Sequence, residues 1–204
     1  MSDFIKIKAS ANSISNRKSI QGVGINDAWY MVNRKVNGKR LMCPIYQAWY
    51  GMIVRCYSEK YHKKRPTYLG CSMDKEWLRF SVFEAWANHQ PKIKGMALDK
   101  DIRIQGNKHY SAENCQFVTP EINSLLTGCG ATRGEHPQGV SFDSESGKYI
   151  SQLCVDGKGK KLGRFYTPEL AFEAYKKAKY ENIKKIAMKQ CEPLRSELLA
   201  YEIN

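Results

Sequence analysis

The side chains here that could do chemistry are of two kinds, cations that grip anions and donors that could hold a metal. Arg34, Lys35, Lys39 and Arg40 flank the dipeptide Asn37-Gly38, and Lys60, Lys63, Lys64 and Arg65 lie among Tyr57, Tyr61 and Tyr68 in YSEKYHKKRPTY. Cations on a turn can hold phosphates, and tyrosines among them can stack or pack inward. Cys43, Cys56, Cys71 and Cys115 are soft metal donors, but far apart and without paired CxxC knuckles. A structural zinc and ordinary buried thiols both stay open. Residues 98–123, LDKDIRIQGNKHYSAENCQFVTPEIN, gather carboxylates, amides and one imidazole, His109.

The bulk composition fits an anionic partner. The chain has 204 residues, 33 basic against 20 acidic, for a formal charge of +13. Residues 1–127 carry 20 of the basic and 10 of the acidic residues. A surplus of this size points to nucleic acid, with a merely solvated basic surface as the alternative. Apolar residues at 42% are enough for real cores, which excludes wholesale disorder. No apolar run approaches a membrane span, and MSDFIKIKAS has no signal-peptide core. A cytoplasmic location is therefore expected, with an odd count of seven Cys arguing against a disulfide framework.

The positioning elements follow from pattern and punctuation. Residues 1–27 read as an irregular arm. Asn37-Gly38 between strand-like stretches predicts a hairpin, because both turn positions need positive φ. Pro44 opens a helix with Ile45, Trp49, Met52, Ile53 and Cys56 as its apolar stripe. A second helix is expected over Lys75–Asn88, burying Trp77, Phe80, Phe83 and Ala87, with a basic loop between the two. Met96–Ile102 and Cys115–Val118 read as strands, followed by a short helix that Thr119 caps and Pro120 begins. Residues 128–138 read as a Gly-rich linker. Strands are expected at Gly139–Phe142, Lys148–Val155 and Lys161–Tyr166, then a helix from Thr167-Pro168 to about Met188 with Ala171, Ala174 and Ala178 along one side.

The segment LDKDIRIQGNKHYSAENCQFVTPEIN resembles the ββα-metal motif of HNH endonucleases, and RCY, YLGCSMDKEW, FEAW and GNKHYSAENC extend the likeness to phage HNH proteins. Residues 133–187 resemble the AP2-like DNA-binding domain that often follows them. The resemblance implies that Asp99 and Asn123 ligate Mg²⁺ or Mn²⁺, that Asn114 has the positioning role, and that Lys100 stands where the family has its general-base His. A protonated ammonium can stabilise a phosphorane but cannot accept a proton, so His109 is the candidate substitute base. In the AP2-like part, the outer sheet face implies contacts to DNA from Arg133, Lys148, Gln152, Lys158, Lys160, Lys161 and Arg164, the arginines foremost.

The expectation is an α+β protein in this order: an arm (1–27), an HNH-like ββα-metal domain (28–127), a linker (128–138) and an AP2-like three-stranded antiparallel sheet plus helix with its tail (139–204). Its expected function is a sequence-directed, metal-dependent nicking endonuclease of phage or homing type, acting on double-stranded DNA as a monomer or homodimer. The competing expectations are a DNA-binding protein or regulator that has lost cleavage, and an RNA binder.

Overall fold

The computed structural model describes residues 4–90, 94–126, 135–155 and 157–203. They form a mixed α+β protein that divides into two compact units, Met1–Asn123 and Ser124–Asn204.

The first unit begins with an irregular segment bearing one short helix, α1 (Ala11–Ser15), capped by Ser10. Arg17 ties this segment down by donating to the carbonyls of Asn26, Ala28 and Tyr30 at 3.0, 2.5 and 3.0 Å. Strands β1 (Asn33–Val36) and β2 (Lys39–Met42) pair antiparallel. Asn37 and Gly38 between them have φ of 49° and 74°, the positive values that the dipeptide implies for such a turn.

Helix α2 (Pro44–Tyr57) follows and buries Tyr46, Trp49, Met52, Ile53 and Cys56. The expected basic loop is partly helix. Ser58 accepts from the Tyr61 amide and caps α3 (Glu59–Lys64), an N-cap signal in SEKY that the flanking charges obscured. Strand β3 (Ser72–Met73) comes next. The helix expected over Lys75–Asn88 is broken into a 3₁₀ turn, Lys75–Leu78, and α4 (Phe80–Asn88). The break has a tertiary cause: the Ile25 amide donates to Leu78 O at 2.8 Å and the Phe80 amide to Ile25 O at 2.9 Å, which holds Arg79 extended.

Aromatics dominate the core. Tyr30, Trp49, Phe80 and Phe83 are fully buried, and burial of such a side chain contributes about 1.5–3 kcal/mol. Trp49 Nε1 donates to Trp77 O at 2.7 Å, so its polar edge is satisfied as it packs. The buried Glu84 is matched by the Tyr30 hydroxyl at 2.6 Å and Lys6 Nζ at 2.8 Å.

Against this core lie β4 (Ala97–Asp99), β5 (His109–Tyr110) and β6 (Gln116–Val118), and the helix α5 (Pro120–Leu126) follows β6 in the chain. β4 and β6 pair antiparallel, with Asp99 opposite Gln116. The first strand is shorter than expected because Asp99 Oδ1 accepts from the amides of Asp101 and Ile102, turning the chain at once. β5 leaves that hairpin and pairs parallel with β3.

In the second unit β7 (Val140–Asp143), β8 (Lys148–Val155) and β9 (Lys158–Phe165) form an antiparallel meander packed on the long helix α6 (Pro168–Ala187). Thr167 caps α6, and α7 (Leu194–Leu199) packs beside it. The buried line of α6 is Ala171, Tyr175, Lys179 and Ile183, one position on from the expected alanine line, so Ala174 and Ala178 flank it. Gly139 is required at its position. It has φ of 78°, and a β-carbon there would stand 2.1 Å from Tyr175 Cδ2.

Candidate functional site

The β4–β6 hairpin and α5 position the carboxylate and amides of residues 98–123. Asp99 ends β4 with Oδ1 committed to two backbone amides at 2.8 and 2.9 Å, while Oδ2 has no partner among the described residues. Burial pushes the Asp99 carboxyl above the usual range, and the two amide bonds oppose that shift. After β6, Thr119 Oγ1 accepts from the Ile122 amide and starts α5. Asn123 sits one turn in, its amide donating to Thr119 O at 3.0 Å. Asn114 lies in the turn before β6, its own amide donating to Ser111 Oγ at 3.2 Å.

Lys100 is a structural tie. It is 8% exposed. Its ammonium donates to Asp101 Oδ1 at 2.7 Å and to Asn107 O, and lies 5.7 Å from the centre of the Tyr110 ring. These bonds fasten the long connection back onto the end of β4. Asn107 completes the fastening, because its Nδ2 donates to the carbonyls of both Lys100 and His109, and its Oδ1 accepts from the His109 amide.

His109 is held on both ring nitrogens. Nε2 is 3.0 Å from Asp74 Oδ1, and Nδ1 is 2.9 Å from Ser72 Oγ. With Nε2–H donating to the carboxylate, Nδ1 accepts from the serine hydroxyl. The parallel β3–β5 pairing makes this possible, since it sets Ser72 opposite His109. Neither Ser72 nor Asp74 stands out in sequence, because the pairing partner lies 37 residues away.

The candidate cations differ in what they touch. Arg34 donates to Ile5 O at 2.7 Å and lies over the Phe4 ring, so it secures the N-terminal segment. Lys35 and Arg40 face each other across β1 and β2, and with Lys39 they are exposed. Lys63, Lys64 and Arg65 are exposed at the end of α3. In the second unit Ser151 and Leu153 are buried while Gln152 and Cys154 are exposed, which fixes the outer face of β8. Lys161 lies opposite Gln152 and Arg164 opposite Ile150, so both share that face with Lys148. Arg164 pairs with Asp143 at 3.3 Å, and Lys148 Nζ lies 4.6 Å over the exposed Tyr166 ring. Lys158 and Lys160 are exposed but lie opposite Val155 and Leu153, on the other face. Arg133 and most of the expected linker lie outside the described residues.

Cys43, Cys56, Cys71 and Cys115 are all buried. Among the described residues no three or more His, Cys, Asp and Glu side chains are grouped to hold a metal. Cys43 Sγ contacts Tyr30 Oη at 3.4 Å, and burial pushes the Cys56 and Cys115 thiols up to about 12. Arg55 and Lys100 oppose that shift without cancelling it. No helix among the described residues is long and apolar enough to cross a membrane.

Compared with the models of known protein families, with curated proteins and with solved structures, the chain matches none of them.

Proposed function

We propose that this protein is a sequence-directed, metal-dependent DNA endonuclease of the HNH type, with its AP2-like second unit reading the duplex. The observation that carries this reading is the antiparallel β4–β6 pair running into α5 with a free carboxylate oxygen, Asp99 Oδ2, at the strand end. Such hard oxygen donors suit Mg²⁺ or Mn²⁺. Asp99 and Asn123 would hold the ion, which when bound offsets charge on a phosphodiester and its leaving oxygen.

The general base in this reading is His109. Lys100 is occupied by Asp101 and Asn107 and has no role as a proton acceptor. His109 has a carboxylate on one ring nitrogen, an arrangement that orients an imidazole for proton transfer. Ser72 is exposed, so its hydroxyl can turn aside and leave Nδ1 to a water. Asn107 joins the backbones of Lys100 and His109, which keeps the imidazole segment fixed to the end of β4. One metal site per chain makes a nick the product of a monomer, and a double-strand break requires a dimer or two successive cuts.

The second reading is a DNA-binding protein without cleavage, favoured by the burial of Lys100 where an HNH enzyme has its base. Supercoiled plasmid incubated with Mg²⁺ or Mn²⁺ separates the two. Nicking that is lost in Asp99→Ala and Asn123→Ala supports the nuclease. The same background in all three proteins leaves the binding reading.

A further inference from the structure

We propose that Arg55 is the centre of a phosphate-binding site that takes a backbone phosphodiester of DNA next to the Asp99 segment. Arg55 lies in the last turn of α2, with Gly51 one turn earlier. A β-carbon at Gly51 would stand 3.4 Å from Nη1, so the guanidinium lies back along the helix over Gly51. Arg55 Nε donates to Tyr110 Oη at 2.8 Å, and the guanidinium lies 5.4 Å from the Tyr110 ring centre and 6.0 Å from that of Tyr68. These contacts fix the plane of the fork. They use one of its five N–H donors.

The remaining donors have no acceptor among the described residues. No carboxylate pairs with Arg55 among the described residues, and neither Nη is among the buried side-chain atoms sealed off without a partner. The fork is therefore held by aromatic walls while its far edge stays reachable. Burial pushes the phenols of Tyr68 and Tyr110 up, so both stay neutral and neither balances the charge. A half-buried guanidinium without a counter-ion is costly unless an anion completes it.

The surroundings add cations. Lys100 shares the Tyr110 ring with Arg55, and Lys100, Lys108 and Arg55 all act on the Cys71 thiol. Among carboxylates, Asp101 acts on Tyr68 and Asp99 on Cys115, and Asp101 is already paired with Lys100. A fixed, planar fork with free Nη donors matches two oxygens of a phosphate. The lysines would favour the anion by charge alone.

This site rests on the DNA-binding half of the proposed function and is independent of cleavage. The test is fluorescence anisotropy of a labelled duplex, in EDTA, over a salt series, with the full chain, Arg55→Met and Arg55→Lys. Folding is checked by circular dichroism. Arg55→Met is expected to bind several-fold more weakly, with a salt slope smaller by about 0.9, the loss of one phosphate contact. Arg55→Lys keeps the slope but loses affinity with the fork. A folded Arg55→Met with unchanged affinity and slope overturns the site and leaves DNA binding standing. Melts of the wild-type protein in inorganic phosphate against chloride at equal ionic strength give a second reading that needs no variant. A saturable rise in Tm is expected, and its absence overturns the site. Stabilisation by phosphate with no duplex binding overturns the DNA assignment and the proposed function together.

Discussion

Two sets of cations, one from each unit, carry positive charge in opposite ways. In the first, Lys100 and Arg55 are drawn into the protein, bonded to Asp101, Asn107 and Tyr110. In the second, Lys148, Lys161 and Arg164 stand on the outer face of a thin sheet whose other face rests on α6. A buried cation specifies local geometry, so its loss is felt in folding and in whatever that geometry holds. An exposed cation on a strand face can meet a phosphate, and an exposed ion pair such as Arg164–Asp143 adds little to stability, so its loss is felt mainly in binding.

Substitutions at the first unit's hairpin should show the largest effects. Asp99→Asn is expected to abolish nicking while keeping the turn, because the amide oxygen can still accept from Asp101 and Ile102. The sign of its stability effect follows from the raised Asp99 carboxyl. A folded pKa above the unfolded one means that the ionised group costs stability once pH exceeds the unfolded value. The variant should therefore match or exceed the wild-type Tm at neutral pH in EDTA, and the gap should close as pH falls through the carboxylate range. Thermal melts at pH 7 and pH 4 check this, and a lower Tm for the variant at pH 7 contradicts it.

Lys100→Met should come next, lowering the stability of the first unit by about 1–3 kcal/mol through the loss of the Asp101 and Asn107 bonds. Denaturant melts read the size of the loss. An unchanged midpoint would show that the ammonium is not the tie described above. The exposed face should behave otherwise. Lys161→Ala with Arg164→Ala should leave Tm unchanged yet reduce the salt slope of duplex binding by about 1.8, two phosphate contacts' worth. A shift in Tm without a change in slope would erase the contrast between the units. The smallest effect is expected from a zinc chelator. The four thiols are not grouped, so Tm should not move, and a fall would show a thiol-bound metal.

Local signals were legible in the sequence where local chemistry decides. Asn37-Gly38 marks its turn, Pro44 and Pro168 begin their helices, and the stripe through Trp49 and Met52 faces the core. What could not be read depends on residues far apart. The break at Arg79 needs Ile25, and the Ser72 and Asp74 contacts to His109 need a parallel pairing between two-residue strands. Helix α3 was hidden for a different reason, since its exposed cations give no apolar stripe and only Ser58 announces it. Of the candidate site, the types and order of Asp99, Asn114 and Asn123 were visible. The role of Lys100 as a buried tie was not, because no pattern in sequence distinguishes a buried lysine from a solvated one.

In the proposed nuclease His109, and not Lys100, is the base. The direct measurement is the single-turnover nicking rate of supercoiled plasmid in Mg²⁺ by the wild type, His109→Ala and Lys100→Met, each confirmed folded. A loss of about 10²- to 10⁴-fold is expected for His109→Ala, and a far smaller loss for Lys100→Met. Equal rates for His109→Ala and the wild type would contradict it.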